Sequence, residues 1–214
     1  GKNKDAGAVA PLLEFLNDKD AEVRAQAAKV LGESAYPPAL QPLVGLLKDP
    51  SLRVRFHASL ALGKLKSAKA IQPLLELVEE NDDADAFLRH AAVMGLVGSV
   101  KADPKVLLET TSSPHSSVRL AAILALRRHA YPGISSFLKD GDLYLVTETA
   151  RAIQDDFSIP DALPALAEVL DRSDLEGEPL LRRAINANFR VGRPSDAERL
   201  ARYAANPSSP ENMR

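Results

Sequence analysis

The sequence predicts an all-α solenoid, a stack of about six to seven helix pairs of which the last is incomplete. Three observations predict it. First, a motif repeats: "AEVRAQAAKVLG" (21–32) returns 31 residues later as "LRVRFHASLALG" (52–63). Second, its apolar residues fall at spacings that share one face of a 3.6-residue helix. Third, no stretch of useful length alternates apolar and polar residues as a half-buried strand would.

Anchored on the Val-Arg pair, the frame holds Val23, Val54, Leu88, Val118, Leu145, Leu181 and Met213, at steps of 31, 34, 30, 27, 36 and 32 residues. The next position holds Arg24, Arg55, Arg89, Arg119, Val146, Arg182 and Arg214. Four residues after the anchor stand Ala27, Ala58, Ala92, Ala122, Thr149 and Ile185, mostly small enough to let neighbouring helices approach. Eight residues after it stand Leu31, Leu62, Leu96, Leu126, Ile153 and Phe189. Each unit also has an earlier helix. "AVAPLLEFL" (8–16), "ALQPLVGLL" (39–47), "AIQPLLELV" (70–78) and "ALPALAEVL" (162–170) share an apolar stripe and an early proline. A proline in the first turn is tolerated because its missing N–H has no intrahelical partner there. Asp-rich turns such as "NDKD" and "KDPS" supply carboxylates suited to capping the second helix. The expected units are 6–35, 36–67, 68–101, 102–130, 131–157, 158–193 and a partial 194–214, within one repeat domain. Met213-Arg214 reads as the anchor pair of a seventh unit, so a fragment of a longer array is expected.

A helix, a turn of the type Asp-Pro-x-x-x-Val-Arg, then alanine and leucine at fixed offsets resembles the HEAT repeat, most closely the short class found also in phycobilin lyases. In the last third, "ETARAIQD", "IPDALPALAEVLD" and "PLLRRAINANFRVGRPSDAERLARYA" resemble a helical-repeat region of large bacterial exported proteins. Those proteins join a sugar-dehydrogenase-like propeller to HEAT repeats and a c-type cytochrome domain, and are often labelled membrane-bound dehydrogenases. That resemblance implies chemistry outside this chain and a periplasmic or membrane-associated setting; the residues themselves name no compartment.

Composition removes several classes. The 214 residues contain no cysteine, which excludes disulfides, thiolate chemistry and covalent haem attachment within them. A formal net charge of −2 provides no global basic field for nucleic acid. No apolar run approaches membrane-spanning length. The histidines His57, His90, His115 and His129 lack i, i+4 pairing, and no His-Glu dipeptide occurs, so neither a metal nor any other cofactor is expected. This also separates the chain from the di-iron HEAT-like hydroxylases. The acidic loops 79–87 and 171–178 lack the EF-hand order and read as solvated caps.

The arginine column, Arg24, Arg55, Arg89, Arg119 and Arg182, is expected to be structural, pairing with turn carboxylates at Asp18, Asp49 and Asp83. Arg119 has only Ser113 in its own turn, so a carboxylate from a neighbouring unit is expected. Asn186 and Asn188 stand where other units carry alanine or leucine; Asn188 is expected to satisfy a backbone group or a neighbouring repeat. Positions two and six after the anchor point away from the packed columns, at roughly 200° and 240° around the helix. In the middle units they hold Phe56, Leu60, His90, Met94, Leu120 and Leu124, an expected apolar groove for a protein partner. The function read from these features is a noncatalytic scaffold or spacer, monomeric, presenting a concave helical surface to a protein or to a neighbouring domain of the same polypeptide. The alternative is an enzyme-associated subunit resembling a bilin lyase that grips a tetrapyrrole.

Overall fold

A computed structural model describes residues 6–155, 159–172, 174 and 177–213. Their regular structure is helical throughout, as an all-α solenoid requires, and the chain divides between Leu107 and Leu108 into two compact units.

The first unit contains three helix pairs. Helix α1 (Ala6–Val9) tightens into 3-10 turns over Ala10–Asn17 and is paired with α2 (Ala21–Glu33). Next, 3-10 turns at Pro37–Ala39 and Leu46–Lys48 bracket α3 (Leu40–Gly45), which is paired with α4 (Leu52–Leu65). Helix α5 (Ile71–Asn81) is paired with α6 (Ala86–Ser99). The turn aspartates do what their position suggests. Asp20 accepts from the N–H of Glu22 at 2.8 Å and Asp85 from that of Leu88 at 2.8 Å, each satisfying a donor that the helix leaves free.

The second helices of this unit pack closely because small residues line their seams. A Cβ added to Gly32 of α2 would lie 2.5 Å from Ala61 of α4. One added to Gly98 of α6 would lie 1.9 Å from the carbonyl oxygen of Gly63 on α4, so only hydrogen fits between the two backbones. Around these seams Leu31, Leu43, Val54, Leu62, Leu74 and Leu96 are buried.

The 3-10 turns over Pro104–Ser112 run across the division; in the second unit α7 (Ser116–Arg128) follows, and turns at Pro132–Lys139 lead into α8 (Leu143–Gln154). Helix α9 (Leu163–Glu168) lies between turns at Pro160–Ala162 and Val169–Asp171; α10 (Glu178–Val191), α11 (Pro194–Ala205) and a final turn Glu211–Met213 follow. Helix α10 ends on Gly192, whose φ of 67° is the left-handed conformation that glycine adopts without penalty.

Helix α10 corrects the repeat register. Its buried residues are Leu180, Leu181, Ala184, Ala187 and Asn188. Leu180, Ala184, Ala187 and Asn188 match Val54, Ala58, Ala61 and Leu62 of α4, so the frame of this unit lies one residue earlier than expected, although the expected anchor Leu181 is buried beside Leu180. Phe189, expected in the leucine column, is instead 80% exposed, and the leucine position is taken by Asn188. The physical reason is steric. Close helix approach needs alanine at the fourth and seventh positions, whereas an arginine can reach a turn from more than one place.

Candidate functional site

The arginines form a set of links whose geometry differs in part from simple pairing within each turn. Arg24 donates from Nη1 to the carbonyl of Asp18 in its own turn, at 2.8 Å. Its Nε and Nη2 grip the carboxylate of Asp49 in the next pair's turn, at 2.7 and 2.9 Å. Arg119 repeats the arrangement, with Nη1 on the carbonyl of Ser113 at 2.7 Å and Nε on Asp140 at 2.7 Å. Asp49 and Asp140 also accept from the N–H groups of Ser51 and Asp142, both at 2.8 Å, so each aspartate orders its own turn while receiving the preceding pair's arginine. Burial opposes the charge on Asp49, yet the Arg24 guanidinium and the Ser51 N–H hold its pKa below the ordinary value. Arg55 approaches Glu80 at 3.1 Å, which leaves Asp49 to Arg24, and Arg89 bonds Asp83 of its own turn. Arg182 does not join this set among the described residues: it pairs along its own helix with Glu178, and Arg183 reaches Asp155. The one-residue register shift of α10 is the cause.

Asn188 is the centre of a buried polar cluster in the second unit. Its Nδ2 donates to the carbonyls of Ala167 and Ala184 at 2.9 and 2.8 Å, and its Oδ1 accepts from Arg199 Nη1 at 2.9 Å. Arg199 also holds Asp196 at 2.9 Å and Asp171 at 2.7 Å. Asp196 is fully buried, and hydrogen bonds from Arg193 and Arg199 keep its carboxyl far below the ordinary range despite that burial. Asn186, by contrast, is exposed.

The six groove positions divide between the units. Phe56 and Leu60 on α4 and Met94 on α6 are half-buried, and His90 is exposed; all four belong to the first unit. Leu124 on α7 is half-buried, but Leu120 is only 4% exposed and is core, which corrects its assignment to an open row. The second position faces the seam with the following helix pair, where Ala25 of α2 is also buried, so its exposure depends on how closely the next helix approaches.

In the first unit Phe56 opens onto a cleft between α4 and α6 of about 400 Å³, lined also by Leu52, Arg53, His57, Phe87 and Leu88. Two residues outside the predicted columns dominate its rim: Phe87 is 78% exposed and Leu52 50%. The signal for Phe87 was present, since the residue before the anchor is Glu22 and Arg53 in the earlier pairs. Phe56 and His57 stack edge to face with centroids 5.3 Å apart. Burial lowers the pKa of His57, helped by Arg53, Lys29 and Lys64 and opposed by Glu22. Arg53 is held by Glu22 at 2.5 and 3.0 Å. Asp85, also on the wall, caps α6.

Among the described residues no group of three or more His, Asp or Glu side chains could hold a metal ion, and no helix is long and apolar enough to cross a membrane. In the loop 79–87, Asp83 and Asp85 are committed to Arg89 and to the α6 cap; residues 173, 175 and 176 of the loop 171–178, like Arg214, lie outside the described residues.

These pairs of antiparallel helices, stacked through small-residue seams and joined by arginine–aspartate links, define the class of helical-repeat solenoid. Within it, residues 9–97 match the family model of HEAT repeats, so this stretch is a HEAT-repeat segment. No curated protein matches the chain in sequence. Among solved structures, the complex of CpcE and CpcF of phycocyanin lyase from Nostoc sp. PCC7120 is 25% identical over 89% of this chain and 79% of its own, with a TM-score of 0.44. The E. coli protein YibA is 19% identical over 100% of this chain and 84% of its own, with a TM-score of 0.45. Human deoxyhypusine hydroxylase in complex with glycerol is 20% identical over 97% and 80%, with a TM-score of 0.39.

Proposed function

We propose that this chain is a noncatalytic interaction scaffold that receives a protein segment, from a separate partner or from a neighbouring domain, in the cleft between α4 and α6. One observation carries the reading: Leu52, Phe56 and Phe87 converge on a cleft of about 400 Å³ while two of them remain largely exposed. Large apolar side chains gathered around a concavity mark interaction surfaces, where a few buried anchors supply most of the affinity. The edge-to-face packing of His57 on Phe56 holds one wall in place. The helical-repeat framework suits such a role because rigid stacked pairs display side chains along an extended surface.

The test is a selection of displayed random peptides against the 214-residue chain, followed by binding of the selected peptides to Phe87→Glu and Leu52→Glu variants. Selected sequences are expected to share an apolar anchor and to lose at least about tenfold in affinity for Phe87→Glu, with far-UV circular dichroism unchanged. Peptides that bind the variants as tightly as the parent chain would overturn the cleft as the docking site.

A further inference from the structure

Two residues before the caps of α2, α4, α6 and α8 stand Asp18, Asp49, Asp83 and Asp140. Three of these aspartates are extended, with φ and ψ of −61° and 148° at Asp18, −63° and 141° at Asp49, and −60° and 146° at Asp140. From that conformation Asp49 and Asp140 each accept the N–H two residues on and receive the arginine of the preceding pair. Asp83 is the exception. Its φ is 63° and that of Asp82 is 39°, two successive left-handed residues without a glycine, which side chains of L-residues adopt only at a cost. Its carboxylate bonds Arg89 of its own pair, and the Asp85 N–H donates instead to Asn81 Oδ1 at 3.3 Å.

Arg55, the arginine of the preceding pair, is left without the aspartate that the other links supply. Its side chain is 13% exposed, as deeply buried as those of Arg24 and Arg119. Those two guanidinium groups meet buried carboxylates on Asp49 and Asp140. Arg55 meets Glu80, 59% exposed, through Nη2 at 3.1 Å, and its Nε is buried with no hydrogen-bond partner among the described residues. Leaving a buried donor of a charged group unpaired is costly, whereas the partly exposed Arg89 can exchange a carboxylate for water at little cost. The guanidinium of Arg55 already faces the right turn. Glu80 lies three residues before Asp83, a span of at most about 11 Å along the chain.

We infer that Asp83 is a two-position latch: its carboxylate leaves Arg89, its backbone turns from left-handed to the extended conformation of Asp49, and it takes Arg55 across the seam between the second and third helix pairs. In that position it also accepts the Asp85 N–H, as Asp49 accepts that of Ser51. The exchange relieves the left-handed backbone at Asp83 and pairs the buried Nε; the observed position keeps the Arg89 link. Each position satisfies one arginine at the expense of the other, which makes the turn a two-state element. The second position joins α4 to the turn that opens α6. Latching therefore draws Phe87 toward Leu52 and narrows the α4–α6 cleft that both residues line. The latch sets the width of that cleft and is independent of what the cleft receives.

The test is a double-mutant cycle of Arg55→Gln and Asp83→Asn, read by guanidinium unfolding of the full 214-residue chain. It is run in the parent background and in an Arg89→Gln background, where Asp83 has lost its present partner. In the Arg89→Gln background the two substitutions are expected to couple by at least about fivefold in the unfolding equilibrium constant. In the parent background the coupling is expected to be smaller, because Arg89 competes for the carboxylate. Additive effects in the Arg89→Gln background overturn the inference, since Asp83 then does not take Arg55. Coupling of equal size in both backgrounds overturns it as well, since Asp83 then does not exchange between two arginines. Nuclear Overhauser contacts between the Phe87 ring and the Leu52 methyl groups report the cleft. They are expected to strengthen in Arg89→Gln, and contacts that stay unchanged beside a measured coupling overturn the narrowing. Far-UV circular dichroism checks folding, and Arg55→Met carries the same cycle if the glutamine variant loses helicity.

Discussion

Replacing Asn188 by leucine inserts the residue that the repeat pattern favours, yet it is expected to destabilise the protein by about 2 kcal/mol. In the native fold the Nδ2 of Asn188 donates to the Ala167 carbonyl near the end of α9, and its Oδ1 accepts a hydrogen bond from Arg199 at 2.9 Å. Leucine leaves that carbonyl buried without this donor, a cost of about 1–3 kcal/mol, and removes a charge-assisted hydrogen bond worth about 1.5–3 kcal/mol. The leucine side chain returns about 1.5–3 kcal/mol through apolar burial, so the losses exceed the gain by about 2 kcal/mol. Arg199 keeps Asp171 and Asp196, which sets the lower side of this range. Asn188→Ala lacks the compensating burial and is expected to cost about 3–4 kcal/mol. The assay is guanidinium unfolding followed by far-UV circular dichroism, with the slope checked for constancy. For a chain of this length a loss of 2 kcal/mol lowers Tm by about 4–8 °C. A leucine variant as stable as the parent chain, or more stable, would refute the argument that this polar cluster holds α9, α10 and α11 together.

Gly98→Ala sets a methyl group against the Gly63 backbone, 1.9 Å from its carbonyl oxygen, and is expected to cost about 3 kcal/mol in thermal or denaturant unfolding; Gly45→Ala, with nothing within 4 Å, should gain a few tenths to about 1 kcal/mol. Ala130 ends α7 at a φ of 47°, so Ala130→Gly is expected to raise stability by about 0.5–1 kcal/mol, and a lower Tm would contradict this. The Arg183 hydrogen bond on Asp155 and those of Arg193 and Arg199 on Asp196 lower both carboxyl pKa values below 3.8. The unfolded chain therefore binds more protons in acid, so this stabilisation is complete above about pH 4 and declines as pH falls through the folded values. Melting at pH 7, 5 and 3 should show the Tm change concentrated in the last interval, and a Tm unchanged between pH 5 and pH 3 would show that these pairs contribute nothing.

Much of the fold was legible because it rests on local chemistry. Helical periodicity places Val54, Ala58 and Leu62 on one face whatever surrounds them, and Asp20 and Asp85 cap helices through their own neighbours. The arginine column was visible as a column, but its partners were not. That Arg24 takes Asp49 across to the next pair depends on the spacing of two turns in space. The apolar rim of the α4–α6 cleft was half legible: Phe56 lay in the predicted row, while Phe87 and Leu52 lay outside every column.

By itself the sequence determined that this chain is a helical repeat and which faces of its helices are apolar. Only the tertiary structure decided that Leu120 is core and Phe87 is surface, that the α10 frame begins at Leu180, and that Asn188 is a buried hydrogen-bonding centre. The physical reason is that periodicity assigns a residue to a side of its helix, whereas burial depends on how near the adjoining helix comes. In this chain that distance is set by residues on the neighbouring helix, as Gly63 sets it for Gly98.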